Sequence, residues 1–176
     1  MASRQAAGVR RGDSVAVVGA GPIGLMLCAA VADAVADVGA VPIVVGGRPE
    51  RRALAPLFGG VAGEPDDVDV AIEAAGTTAA WTRALELVRP GGTVLAFGGL
   101  ARDARIALDP YRIHYEEVKL VGAFHHTPRH IRAALAFLAT GAYPFGRLVT
   151  HRVGLAGVSA LLVAPPRDRL KAAVVP

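Results

Sequence analysis

Six residues constrain this chain more than any others. Gly19-Ala20-Gly21-Pro22-Ile23-Gly24 follows the apolar run Ser14-Val15-Ala16-Val17-Val18 and opens a long, Ala-rich amphipathic stretch. The order is strand, glycine turn, helix, the context in which G-x-G-x-x-G reads as a dinucleotide-binding turn. Gly19 serves the tight bend, Gly21 lets a pyrophosphate approach the backbone, and Gly24 lets the helix pack on the strand. The helix amino terminus that Pro22 opens offers the N–H groups of Ile23 and the residues after it, with partial positive charge, to phosphates. The competing reading is a packing turn that binds nothing.

The rest of the chain repeats the alternation. Val15–Val18 reads as a strand, and Pro22 to about Val38 as its helix, stopped by Gly39. Ile43–Val45 is a second strand, ended by Gly46-Gly47, and Pro49 to Phe58 is helical, closed by Gly59-Gly60. Gly63 to Asp67 is loop, Val68–Ala74 a strand, and Thr78 to Val88 a helix. Pro90-Gly91-Gly92 reads as a turn before the strand Thr93–Phe97. Ile106–Leu108 is a short extended piece and Val118–Ala123 another strand. Thr127 caps a helix with Pro128 at its first position and Ile131, Leu135 and Leu138 on one face, ended by Gly141. Leu148–Val153, Val158–Val163 and Ala172–Val175 complete the chain. With 53% hydrophobic and only 5% aromatic residues, the core must be Ala, Val and Leu. Such a core suits a parallel sheet covered by helices, and the alternation implies right-handed β-α-β units.

Charge and cysteine content exclude several classes. The net charge is +4, but the basic residues are scattered, only Lys119 and Lys171 are lysines, and aromatics do not interleave with them. Solvated arginines explain this better than nucleic-acid binding. The single cysteine, Cys28, permits neither a disulfide framework nor a cysteine-based zinc cluster, which fits a reducing cytoplasm. Met1 to Gly12 is polar, with no hydrophobic signal core. The apolar stretch Leu25 to Val45 is broken by Asp33, Asp37 and Pro42 and reads as helix plus strand, with no membrane span. His125 and His126 are adjacent, so in an extended segment they point to opposite faces. His130 shares a face with His126 only if the helix starts before Thr127-Pro128. No metal site and no catalytic residue is assigned.

The run from Gly12 to Leu25 resembles the cofactor domain of zinc-type medium-chain alcohol and polyol dehydrogenases. So do Asp69-Val70-Ala71-Ile72-Glu73-Ala74-Ala75-Gly76 and Val88-Arg89-Pro90-Gly91-Gly92-Thr93-Val94. His114-Tyr115-Glu116-Glu117, Gly122 to Arg129 and Leu148 to Arg152 are closer to the sugar-alcohol and cyclitol branch. The resemblance covers the second half of that family. It implies a doubly wound α/β (Rossmann) domain over residues 12–124, and over 125–176 a small C-terminal remnant of the catalytic domain. The family's zinc ligands lie in its first half and have no matching positions here. Where the family has a third strand and a helix, this chain has only Val61 to Asp67. The expectation is a sheet shortened by that strand–helix unit, leaving strand 2 at the edge.

The resemblance also places further cofactor residues. An acidic residue ending strand 2 would hold the ribose 2′-OH of NAD. Its position is Gly46 here, and Arg48 is placed to form charge-assisted bonds to a 2′-phosphate, so NADP is read over NAD. The alternative is that Arg48 is a solvated arginine at a helix start, with Glu50 a first-turn dipole partner. Glu73-Ala74-Ala75-Gly76 and Phe97-Gly98-Gly99-Leu100 lie at carboxyl ends of strands, where this family's loops flank the nicotinamide, with Ala74, Ala75, Gly76, Phe97, Gly98 and Gly99 the cofactor candidates; ordinary turn glycines are the equal alternative. Lys171 matches a position that reaches the pyrophosphate, or is an exposed lysine before a strand. The implied function is the NAD(P)-binding portion of a dehydrogenase of sugar alcohols or cyclitols, inactive without the zinc domain. Alternatives are a non-catalytic nucleotide-binding module, relic or sensor, or one subunit of a split enzyme whose partner polypeptide carries zinc. Relatives pair through late strands, so homo-oligomers are expected through Ile106–Leu108 and Val118–Val121.

Overall fold

The computed structural model describes residues 8–36 and 40–176. The expected end of the first helix at Val38 and its stop at Gly39 lie outside the described residues. The chain divides into one compact unit that runs to Tyr143 and a second, Pro144–Pro176.

The first unit is built on a six-stranded parallel sheet of order β3-β2-β1-β4-β5-β6. Its strands are β1 (Val15–Val18), β2 (Ile43–Val45), β3 (Val61–Ala62), β4 (Val68–Glu73), β5 (Val88–Ala96) and β6 (Lys119–Gly122). Parallel strands covered on both faces read as continuous apolar runs, and β1 is buried at every position. Val15 and Val17 face the side packed by Leu27, Val31 and Val35 of α1 (Pro22–Val35). Ala16 and Val18 face the opposite side, with Ala80, Ala84 and Leu87 of α3 (Thr78–Leu87). Ala16 of β1 pairs with Ala71 of β4, and both are fully buried, as is Ala84 above them. Small residues on all three elements bring α3 close to the sheet. Thr77 starts α3 by accepting the Ala80 N–H at 3.2 Å, a capping bond that satisfies one otherwise orphaned donor.

Several expectations need correction. The edge beyond β2 is not vacant, because Val61–Ala62 pairs with Ile43–Val44 as a two-residue strand. The strand is reduced, and the chain then runs from β3 to β4 with no helix between them. Glu64 in that link meets Arg52 at 3.2 Å and Arg83 at 3.5 Å. Pro90-Gly91-Gly92 does not precede the strand but lies inside it. Val68 pairs with Val88 and Val70 with Thr93, so one residue of β4 faces four of β5. The irregularity sends Val68 and Val70 to opposite faces of the sheet. The helix expected over Pro49 to Phe58 is α2 (Pro49–Arg52) followed by a 3-10 turn, Ala55–Phe58. Ile106–Leu108 forms no strand. After it comes an unanticipated helix, α4 (Pro110–His114), capped by Asp109, whose carboxylate accepts the Tyr111 N–H at 2.9 Å.

Past β6, Thr127 caps α5 (Pro128–Ala139) as expected. The second unit is a small parallel pair, β7 (Val149–Val153) and β8 (Lys171–Val174), joined through α6 (Val158–Val163). Thr150 holds the pair together: its Oγ1 accepts the Leu170 N–H at 2.9 Å and donates to the Lys171 carbonyl at 3.3 Å.

Candidate functional site

All strands of the large sheet run the same way, so the ends of β1, β2, β4 and β5 share one rim. β1 and β4 meet where the strand order reverses, the place where open α/β sheets bind ligands. At that place the three glycines of the turn have different surroundings. Gly19 follows β1 with φ +122°, a conformation L side chains rarely adopt. Its N–H donates to the Val45 carbonyl at 2.9 Å, and a Cβ there would come within 3.0 Å of Ala75. A Cβ on Gly24 would overlap the Gly19 carbonyl oxygen. A Cβ on Gly21 would meet nothing within 4 Å. The turn is therefore closed at its first and third glycines and open at its second.

Gly21 also forms the amino-terminal cap of α1. Its backbone is extended, no side chain caps it, and the first turn carries no acidic residue. A helix start with N–H groups and no carboxylate of its own suits an anion. Pro22 occupies the first helical position, and Ile23 is half exposed beside it.

The neighbouring loops close in from either side. After β2, Gly46 (φ +69°) has open space around a Cβ, while a Cβ on Gly47 would come within 3.1 Å of Ala20. Arg48 follows, exposed and extended, as the cap position of α2. After β4, the Ala74 N–H donates to the Val18 carbonyl at 2.9 Å. Ala74 and Phe97 pack on the α1 face of the core. A Cβ on Gly76 would come within 2.9 Å of the Gly99 carbonyl, and one on Gly98 would collide with Glu73. Gly99 has open space. Room for a side chain is thus closed at Gly47 by Ala20, at Gly19 by Ala75, at Gly76 by Gly99, and at Gly98 by Glu73 and Gly76.

Sequence reasoning missed what holds the last two loops together. Glu73 ends β4 and is the one charged residue buried among those described, with no exposed surface. Its Oε1 accepts the Ala75 and Gly76 N–H groups at 2.8 and 2.7 Å, and its Oε2 accepts the Gly98 N–H at 3.1 Å. The available signal was a carboxylate closing a strand that is apolar from Val70 to Ile72, three residues before a glycine.

The remaining candidates lie elsewhere. Lys171 opens β8 in the second unit. His130 has a local role: its Nδ1 accepts the Thr127 N–H at 3.2 Å while its own N–H donates to Thr127 Oγ1 at 3.4 Å. His125 lies edge-on to Phe124 at 4.6 Å. Burial pushes the Cys28 thiol up to about 12, which leaves it protonated and unreactive at neutral pH. No three His, Cys, Asp or Glu side chains gather at ligand spacing among the described residues, so the donor set does not fit a zinc centre. The open glycine and uncapped helix start do fit a pyrophosphate. No helix among the described residues is long and apolar enough to cross a membrane.

Comparison with known proteins gives a consistent outcome. Residues 22–140 match the family described as zinc-binding dehydrogenase. D-altritol 5-dehydrogenase of Agrobacterium fabrum is 34% identical over 166 residues, covering 89% of this chain and 48% of that protein. L-galactonate-5-dehydrogenase of Escherichia coli is 32% identical, covering 83% of this chain and 46% of that protein. The structure superposes on a zinc-binding dehydrogenase of Sinorhizobium meliloti bound to NADP, with TM-score 0.85 and 27% identity. That match covers 99% of this chain and 55% of the other. The chain spans about half the length of the curated relatives it matches.

Proposed function

The chain belongs to the zinc-binding dehydrogenase family, and from that premise we propose that it is the NADP(H)-holding portion of an enzyme that oxidises a sugar alcohol or cyclitol. The observation that carries the reading is the open second glycine. Gly21 has room beside its backbone while Gly19 and Gly24 have none, so the turn is shaped around something outside the chain. The pyrophosphate is assigned to Gly19–Gly24, the adenosine ribose and its 2′-phosphate to Gly46 and Arg48, and the nicotinamide side to Ala74–Gly76 and Phe97–Gly99. Lys171 is assigned to the pyrophosphate by family resemblance alone. When bound, the nicotinamide supplies the hydride acceptor. This chain's residues bind and orient it. The step that polarises the alcohol needs a Lewis acid; the donors grouped among the described residues do not fit one, and that step is not assigned to this chain.

In this reading residues 12–124 are the cofactor domain and 125–176 the part that joins a catalytic domain in relatives. The match covers about half of each relative's length, and one further reading is a split enzyme in which a separate polypeptide carries the zinc half. The alternative is a nucleotide-binding module that performs no catalysis. Self-association is proposed through the late strands and their flanks, and a cytoplasmic setting from the one buried thiol.

The test is calorimetric titration of the chain with NADPH and NADH. NADPH is expected to bind at least about tenfold more tightly, the scale of one charge-assisted phosphate contact, and Arg48→Ala to remove the preference. Adding zinc and a polyol panel to the NADP-loaded chain is expected to give no reduced-cofactor absorbance. Equal affinities, or a preference that survives Arg48→Ala, overturn the assignment of the 2′-phosphate. Binding of neither dinucleotide overturns the function.

A further inference from the structure

We propose that Glu73 is a positioning residue for the nicotinamide end of the cofactor: its buried carboxylate ties the loop after β4 to the loop after β5 and fixes the cleft between them. The inference rests on the cofactor reading above. A carboxylate out of water is costly unless both oxygens are hydrogen-bonded. Here both are, and all three donors are main-chain N–H groups of the two loops: Ala75, Gly76 and Gly98. The main chain of the same residue repeats the tie, since the Glu73 carbonyl accepts the Phe97 and Gly98 N–H groups at 3.0 and 2.9 Å.

The sheet itself does not call for a carboxylate at this position. Glu73 pairs with Val18 on one side and Ala96 on the other, and the residues before it on β4 are apolar except Asp69 at the far end. What the side chain adds lies beyond the strand. It draws Gly76 and Gly98 so close that neither has room for a methyl group. Trp81 on α3 steadies the same loop by donating its Nε1–H to the Gly98 carbonyl at 3.2 Å. The side chains that fix the separation of the two loops are thus one carboxylate and one indole, beside the main-chain bonds of Glu73.

Glu73→Gln keeps the size of the side chain but turns one acceptor oxygen into an NH2 donor. Either Gly98 or the Ala75–Gly76 pair then faces a donor instead of an acceptor. The experiment measures, by calorimetry on the full chain, the affinities for NADPH and for 2′-phospho-ADP-ribose, the same ligand without the nicotinamide ring. Wild type is expected to bind NADPH more tightly than the ring-free ligand. Glu73→Gln is expected to weaken NADPH by about tenfold and the ring-free ligand by less than about twofold. Trp81→Phe, a milder change on the same loop, is expected to act in the same selective sense by about threefold, and it carries the test should Glu73→Gln not fold. Parallel weakening of both ligands, or an unchanged NADPH affinity, overturns the inference and leaves Glu73 a purely structural residue. Wild type binding neither ligand overturns the cofactor reading, and this inference with it.

Discussion

At the scale of single residues, the glycine turn separates folding from binding. Gly24 is closed against the Gly19 carbonyl, so Gly24→Ala must push α1 off β1. Gly21 stands in open space with an ordinary extended backbone. Gly21→Ala is therefore expected to leave the melting temperature within a few degrees of wild type, yet to weaken dinucleotide binding about tenfold or more. Gly24→Ala is expected to lower the melting temperature sharply. Thermal melts and titrations of the two variants check this, and equal losses of stability in both would contradict it. The fingerprint glycines were legible in the sequence because their constraints are local, set by a strand, a bend and a helix in direct succession. Glu73 was not, because one of its donors, Gly98, lies 25 residues further along. Gly76 and Gly98 were read as loop glycines near a ligand, and the missing information was that each excludes a side chain of the other loop.

At the scale of elements, the amino ends of the central strands are fastened by Asp69. Ser14 at the start of β1 donates its N–H and its hydroxyl to Asp69 Oδ2 at 2.8 and 2.7 Å. Arg89 of β5 donates to Oδ1 at 2.7 Å. The Ser14 N–H is the largest influence holding this carboxyl below its ordinary value of 3.8, with the Ser14 hydroxyl and Arg89 adding to it against the opposing effect of burial. A carboxyl lowered on folding stabilises the fold above its unfolded value and loses that contribution as pH falls through the folded one. Urea midpoints of wild type and Asp69→Asn are thus expected to differ most above 3.8 and to converge below it. A difference that does not change with pH would show that the ionised pairing contributes nothing. Most element positions could be read from apolar runs and glycines, since parallel strands are buried apolar stretches, while the strand order came with the family resemblance. The errors fell where pairing decides the outcome. Val61–Ala62 is a strand only because β2 offers an unpaired edge. Pro90–Gly92 belongs to β5 because β4 pairs with the chain on both sides of the bulge, at Val88 and at Thr93, and β6 joins from Thr93 onward. The helix at Pro110 carried a local signal, Asp109 before Pro110, that the reading passed over.

At the scale of the whole molecule, apolar surface remains to be covered. α5 buries none of its residues, and Ile131, Leu135 and Leu138 are all exposed. Phe124 is 89% and Tyr115 71% exposed, and β6 is paired on one side only. Surfaces of this kind drive association. Sedimentation at roughly tens of micromolar is expected to show dimers or larger species that dissociate on dilution, and a clean monomer would contradict the proposed self-association. The alanines that let α3 lie close on β1 and β4 carry a consequence of another sort, for the mutational history of such a chain. Where Ala16, Ala71 and Ala84 meet with no exposed surface, a side chain has little left to lose. Replacements that shorten it remove a single methyl group, whereas those that lengthen it have nowhere to go and must lever helix and sheet apart. A fold of this make is worn down by crowding, and its neutral variants gather away from these contacts, where a longer side chain points outward.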